Sequence, residues 1–328
     1  MSFAHKIRVG VLRGGPSPEY QVSLNTGKAI LANLGDEYEP IDILISREGL
    51  WHEKGLEKSP SNILKRVDVI INGLHGKYGE DGEVQKLLDD FQIPYTGSLA
   101  MPSAIAMNKI LTKNIYKNHS LKTPYAINIP FENLSKSIIE EAYRSVPAPF
   151  IVKPVSAGSS MGIYVVSTLP ELEEAVIASS QYSHGVLVEE FISGKEATCG
   201  MIDDFRDQKY YSLPPIEIKH KSDFFDYNTK YSTPTNGGAE EICPGNFTPI
   251  EAQTIQDMTI KAHQVLGLRH YSRSDFIIHP KRGIYILETN TLPGLTETSL
   301  IPKALKAVGS NVKEFLSHLL SKTLKGGF

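Results

Sequence analysis

Cysteine is almost missing: Cys199 and Cys243 are the only two in 328 residues. That leaves no disulfide framework, and neither residue sits in a CxxC or Cys/His spacing of the kind that binds zinc. Both read as packing residues in a reducing compartment. Long apolar runs are missing too. None approaches the roughly 20 residues that cross a bilayer, and Met1–Lys6 has no apolar stretch of the signal-peptide kind. Nor is there an excess of one charge: a net −3 gives no basic footprint for nucleic acid. Internal repeats and low-complexity blocks are absent as well. What remains fits a globular enzyme, expected in the cytoplasm, with neither nucleic acid nor membrane expected as a partner.

The length is too great for one small core, so two or three domains are expected. Residues 6–12 read as a buried strand. A turn at 14–18, a helix at 20–34 and strands at 39–45 and 68–72 follow, then a glycine-rich loop at 73–82 and a helix at 83–90. Strands alternating with helices imply a parallel sheet, placed in an α/β domain over residues 1–100. Helical segments follow at 102–119, then strand–loop–strand over 147–166, a helix at 169–180 and two strands over 185–202. This gives a mixed domain at 101–185 and another at 186–328. Residues 219–247 are polar and turn-rich without periodicity, which marks either a disordered stretch or a functional lid. A helix at 249–266, a hairpin, a loop at 291–298 and a helical remainder complete the chain.

The hairpin carries the sharpest chemistry. Arg273-Ser274-Asp275-Phe276 and Leu287-Glu288-Thr289-Asn290 flank Pro280-Lys281-Arg282-Gly283, read as a four-residue turn. Closing it sets Asp275 opposite Glu288 and Arg273 opposite Asn290. Paired residues, and residues two apart, share a face of the sheet. Two facing carboxylates repel unless a cation lies between them. Hard oxygen ligands suit Mg²⁺, which usually binds substrate phosphates too. Arg273 could hold an oxyanion. A surface hairpin with a salt bridge is the alternative, and a one-residue slip would undo the argument.

Lys153 ends a strand and is followed at once by Ala157-Gly158-Ser159-Ser160-Met161-Gly162. Glycines permit close backbone approach, N–H groups can cradle phosphate oxygens, and the hydroxyls of Ser159 and Ser160 add donors. The pattern is not a P-loop, because the lysine precedes the loop; alone it would be a plain hairpin. Lys109, on a helical stretch between domains, would alone be a solvated lysine. Glu189 and Glu196 could hydrogen-bond adenine and ribose, or be parts of an exposed strand and a turn. His75 lies in the glycine-rich loop after a strand, where open α/β sheets bind ligands. Glu19 could meet a substrate ammonium or compensate a helix N-terminus.

Together, the segments GGPSPEYQVSL (14–24), LHGKYGEDG (74–82), IPYTGS (93–98), SAIAMNK (103–109), KPVSAGSSMG (153–162), EEFISGKEAT (189–198), FDYNTKY (225–231), RSDF (273–276) and ETNTLPGLTETSL (288–300) resemble the D-alanine–D-alanine ligases of the ATP-grasp superfamily. The resemblance runs in order over nearly the whole chain. It implies an N-terminal Rossmann-like parallel-sheet domain followed by a two-domain ATP-grasp fold. It also implies ATP-dependent joining of two D-alanines through an acyl phosphate, for peptidoglycan precursor synthesis, in a cytoplasmic homodimer. By the same resemblance Lys109 and Lys153 contact ATP phosphates beneath the 158–162 loop, and Glu189 and Glu196 hold adenine and ribose. Asp275, Glu288 and Asn290 ligate two Mg²⁺ (or Mn²⁺). Glu19 takes the ammonium of the first D-alanine with His75 nearby, and Arg273 stabilises the oxyanion. Gly294, Ser299 and Leu300 shape the second site. Lys230 and Tyr231 lie on the lid, Tyr231 closing onto Ser159.

Three departures stand out: Ala157 in place of a carboxylate or amide, Asn108 in place of an aspartate, and Tyr271-Ser272 in place of a Gly-Gly-like pair. A relative using D-lactate or D-serine as second substrate is the nearest alternative, against which Lys230-Tyr231 argues. A silent nucleotide-binding scaffold is the other, and the retained Arg273, Asp275, Glu288 and Asn290 argue against it.

Overall fold

The computed structural model describes residues 6–156, 158, 161–220 and 239–326. Its first sheet is built on β1 (Ile7–Gly14), which runs parallel to β2 (Tyr38–Ile45) on one side and to β5 (Val69–Asn72) on the other. Val9, Val11 and Leu12 are fully buried, as a strand covered on both faces requires. Two short antiparallel strands, β3 (Trp51–Glu53) and β4 (Leu56–Glu57), extend the edge beyond β2, and α2 (Pro60–Leu64) follows them. All three are too short to register as periodicity. Helix α1 (Tyr20–Asn33) joins β1 to β2, and α3 (Glu83–Asp90) follows β5. At Gly14 φ is 92°, and a Cβ there would lie 2.2 Å from the Ile45 carbonyl oxygen, so only glycine lets the chain leave the strand. The loops after β1 and β5 thus emerge side by side at the carboxyl ends of neighbouring parallel strands, the ligand edge of such sheets.

Helices α4 (Ala100–Met107) and α5 (Lys109–Asn118) lead to a four-stranded antiparallel sheet ordered β6 (Ala126–Pro130), β9 (Gly185–Glu190), β7 (Phe150–Pro154), β8 (Tyr164–Val166). Helices α6 (Lys136–Ser145) and α7 (Leu169–Ser179) cover it, setting Ile139, Ala142, Leu172 and Val176 against Val152, Val186 and Val188. β9 pairs with β6 and β7, so this sheet runs on to Glu190, past the boundary drawn at 185/186.

The third sheet is ordered β13 (Glu240–Ile242), β12 (Ile216–Lys219), β10 (Lys195–Phe205), β14 (Tyr271–His279), β15 (Gly283–Asn290), with β11 (Gln208–Ser212) beside β10. Helix α8 (Pro249–Val265) packs on one face, started by a Thr248–Glu251 capping box. β13 lies inside the stretch read as irregular. Its partner β12 flanks the other side of 221–238, which are outside the described residues.

The β14–β15 turn differs from its reading. His279 pairs with Gly283, leaving a three-residue connection, yet Asp275 still pairs with Glu288 and Arg273 with Asn290, because a β-bulge intervenes after Phe276↔Ile286.

Two final helices, α9 (Leu300–Ala307) and α10 (Val312–Lys325), close the molecule. Phe315, Leu316, Leu319 and Leu320 of α10 share one buried cluster with Val9, Val11, Val69 and Ile71 of the first sheet and with Ile202, Tyr271 and Leu292. Polar ties reinforce this seam: Arg269 Nε donates to the Gly97 carbonyl at 2.7 Å, and Gly97 N–H donates to His270 Nδ1 at 3.0 Å. The first and third sheets are therefore fixed to each other through one core, and the parallel-sheet loops are set against β14 and β15. No helix among the described residues is long and apolar enough to cross a membrane.

Candidate active site

β10, β14 and β15 put Thr198, Arg273, Asp275, Glu288 and Asn290 on one sheet face, since Thr198 pairs with Asp275 and Asp275 with Glu288. The Arg273 guanidinium forks onto Asp275, with Nε–Oδ1 and Nη2–Oδ2 both 3.0 Å, and Thr198 Oγ1 donates to Asp275 Oδ1 at 2.6 Å. Across the pair, Lys109 Nζ lies 3.6 Å from Glu288 Oε2. Asn290 Oδ1 accepts from Leu292 N–H at 2.9 Å, which turns the chain into the next loop. The two facing carboxylates are thus each met by a cation from outside the pair. Burial opposes the charge on Arg273, yet Asp275 and Glu288 hold its pKa above the ordinary value.

Lys109 opens α5, and Asn108 supplies the cap: its Oδ1 accepts from Ile110 N–H at 3.0 Å and Leu111 N–H at 3.1 Å. Asparagine caps as well as aspartate does, so that departure costs nothing here. The Tyr271-Ser272 departure is absorbed by the core: Tyr271 packs edge-on against Phe315, and Ser272 Oγ bonds His263 Nδ1 at 2.8 Å. Lys153, on β7, pairs at 2.7 Å with Glu189 Oε2 of β9, and Lys113 of α5 pairs at 2.6 Å with Glu189 Oε1. Glu189 is buried, not part of an exposed strand; burial opposes its charge, but the two ammonium groups hold its pKa below the ordinary carboxylate value. Glu196, on β10, bonds His220 Nε2 at 2.7 Å.

The first sheet brings the next group. Glu19 is the N-cap residue of α1 yet makes no side-chain cap bond. Its carboxylate lies where a Cβ on Gly76 would be 2.4 Å from Oε2 and a Cβ on Gly158 2.7 Å away, so it sits between the loop after β5 and the loop after β7. His75 Nε2 bonds Thr26 Oγ1 at 2.8 Å, and burial, then the nearby Arg273 charge, pushes its pKa down to about 4. The imidazole is therefore neutral at pH 7. Gly294 lies close against Ser299, where a Cβ would be 2.8 Å from Oγ, and Leu300 packs on the adjoining core.

Glu80 is a residue that sequence reasoning quoted in a motif but gave no role. Its Oε2 accepts from Gly76 N–H at 2.8 Å and its Oε1 from Leu292 N–H at 3.2 Å, which locks the Glu19–His75 wall to the Asn290 wall. Burial, with Glu19 nearby, pushes its pKa up to about 8. Glu80→Gln offers one acceptor to two N–H donors, and the orphaned donor should cost about 1–3 kcal/mol of stability at pH 5. The folded-state pKa lies above the unfolded one, so the wild-type contribution is full below pH 4.5 and is lost as pH rises through 8. The gap between variant and wild type should therefore narrow from pH 5 to pH 8 in urea unfolding; a constant gap would contradict this.

Lys113 and Thr198 were also missed. Lys113 had a faint signal, one helical turn after Lys109 on the same face. Ala157, Ser159, Ser160, Lys230 and Tyr231 lie outside the described residues.

A parallel-sheet lobe, followed by two antiparallel sheets that bring buried lysines and facing carboxylates together, defines a ligase of the ATP-grasp class. Residues 53–98 match the family model described as D-ala D-ala ligase N-terminus, and residues 125–321 match D-ala D-ala ligase C-terminus. The chain belongs to the D-alanine–D-alanine ligase family. The D-alanine–D-alanine ligase of Carboxydothermus hydrogenoformans is 36% identical over 326 residues, covering 98% of this chain and 99% of that one. That of Methylacidiphilum infernorum is 35% identical over 317 residues, covering 95% and 94%. Among solved structures, the VanG D-Ala:D-Ser ligase from Enterococcus faecalis superposes with a TM-score of 0.86 at 28% identity, covering 97% of this chain and 100% of that one. The Bacillus anthracis D-alanine–D-alanine ligase gives 0.81 at 31%, covering 98% of each.

Proposed function

We propose that this enzyme uses ATP to join two D-alanines into D-alanyl-D-alanine for peptidoglycan precursor synthesis, working as a cytoplasmic homodimer. The observation that carries the reading is the hairpin face, where Asp275 and Glu288 oppose each other within reach of Arg273 and Lys109. The first D-alanine's carboxylate attacks the γ-phosphorus of ATP, the bond to the bridging oxygen of the β-phosphate breaks, and an acyl phosphate and ADP result. The second D-alanine's amine attacks that acyl carbon, and phosphate leaves. Lys109 and Lys153 neutralise phosphate charge under the 158–162 loop and its Ser159 and Ser160 hydroxyls, while Glu189 and Glu196 take adenine and ribose. Glu19 receives the first ammonium, and neutral His75 hydrogen-bonds nearby without adding charge. Arg273 meets the tetrahedral oxyanion. Gly294, Ser299 and Leu300 shape the second pocket. Lys230 and Tyr231, with Tyr231 reaching Ser159, shut out the water that would hydrolyse the acyl phosphate.

Asp275, Glu288 and Asn290 would hold two Mg²⁺ or Mn²⁺: three hard oxygen donors on one face fit such ions, and the remaining positions suit phosphate oxygens and water. When bound, these ions supply neutralisation of charge on the transferred phosphoryl group.

The deciding assay supplies ATP, Mg²⁺ and D-alanine, measures phosphate and detects the dipeptide. Phosphate and dipeptide in equal amounts are expected; no dipeptide from folded, ATP-binding protein overturns the reading. Because a D-Ala:D-Ser ligase shares the fold closely, D-serine and D-lactate compete in parallel arms, where D-alanine should win at neutral pH.

A further inference from the structure

Lys113 is buried, and its ammonium has three acceptors in reach: Glu189 Oε1 at 2.6 Å, Thr123 Oγ1 at 2.8 Å and the Pro124 carbonyl at 3.0 Å. Two of its three N–H donors are spent on Thr123 and Pro124, and its charge is paired with the Glu189 carboxylate. Lys153 is different. Its ammonium meets Glu189 Oε2 at 2.7 Å, and no further side-chain bond to another described residue accompanies that pair. Glu189 links the two lysines: each oxygen takes one ammonium, which leaves a lone pair on each for a further donor.

The three side chains come from three elements. Lys113 is on α5, Lys153 on β7 and Glu189 on β9. Thr123 and Pro124 belong to the connection from α5 to β6, and the next residue, Tyr125, donates its N–H to Glu190 Oε1 at 3.0 Å. Lys109 sits one turn earlier on α5 and reaches Glu288. One helix therefore sends one lysine to the acidic hairpin and another to Glu189 of the middle sheet, near enough that Lys109 also feels the Glu189 and Lys153 charges.

We propose that Lys113 is a positioning residue for the nucleotide, aiming the Glu189 carboxylate at the exocyclic amine of adenine and holding Lys153 beside it. This rests on the reading of Glu189 as the adenine partner. Without Lys113, a buried carboxylate with a single cation would draw the Lys153 ammonium across both oxygens and turn from the base. Burial pushes Lys113 down to about 8, with Glu189 opposing the fall, so the ammonium stays largely charged at neutral pH.

The test separates aiming from mere bracing. Adenine's 6-amino group donates to a carboxylate. The 6-oxo group of inosine triphosphate (ITP) cannot, and its oxygen faces the carboxylate oxygen instead. The ratio of Kd for ITP to Kd for ATP therefore reports on Glu189. Calorimetry on the full chain with Mg²⁺ and ATP or ITP, without D-alanine, is the measurement. Lys113→Met should lower this ratio by about tenfold, the loss of one aligned hydrogen bond. A bracing role alone weakens both nucleotides equally, and an unchanged ratio overturns the proposal. Thr123→Val, which removes only the hydroxyl that orients the ammonium, should lower the ratio by about threefold. If Lys113→Met does not fold, this variant decides alone, an unchanged ratio again overturning the proposal. A wild type without preference between ATP and ITP overturns it too. Absence of dipeptide formation bears on the proposed reaction and leaves this ratio readable.

Discussion

Arg273→Met lowers kcat for dipeptide formation by about 10²–10³-fold, the usual loss when one donor to a developing oxyanion is removed. In the described state Nε and Nη2 of Arg273 are engaged by Asp275. A guanidinium has five N–H bonds, so donors remain for a substrate oxygen while the fork holds its plane. Half-buried beside neutral His75, it keeps its charge, so its field acts without a competing imidazolium. Steady-state kinetics beside a melting curve checks the expectation. A folded variant with kcat within about fivefold of wild type would remove Arg273 from the chemistry.

Glu189→Leu destabilises the fold by about 3–5 kcal/mol, because it leaves two ammonium groups buried side by side without their shared counter-ion. Replacing all three, as Glu189→Leu with Lys113→Met and Lys153→Met, recovers most of that loss, since apolar side chains of similar volume carry no desolvation cost. Urea unfolding of the single and triple variants measures both. A single variant that loses under about 1 kcal/mol would mean the lysines find other partners or shed their protons.

Much of this architecture was legible in the sequence because its signals are local. Alternation of strand and helix marked the parallel sheet, and glycine-rich loops after strands marked its ligand edge. Asp275 opposite Glu288 could be read by numbering outward from the turn, but only because the bulge at Leu287 makes up the residue by which that turn is shorter than its reading. The short strands β3, β4, β11 and β13 have two to five residues each, too few for a period. The roles of Glu80 and Lys113, though Lys113 itself is hinted at by its spacing from Lys109, were out of reach for another reason. Glu80 acquires its role from Leu292 and Lys113 from Glu189, and nothing local announces a partner that distant in the chain. The lid assignment at Lys230 and Tyr231 rests on the resemblance and on composition, since those residues lie outside the described ones.

The bulge in the β14–β15 ribbon deserves its physical reason. A four-residue turn with regular pairing would also set Asp275 opposite Glu288, but it would turn Ile284 and Ile286 away from Phe276 and Ile278. In the fold these four share one cluster, while Tyr285 and Leu287 group with Ile277 and Ile192 on the other face. Apolar packing selects the shorter turn, and Leu287 takes up the surplus residue. The ribbon is therefore two segments whose registers are set separately, one by oil and one by charge. Length changes at Pro280–Arg282 would be felt by the greasy half and would stop at Leu287, so this tip is where foreign residues can be spliced in while the acidic end keeps its alignment.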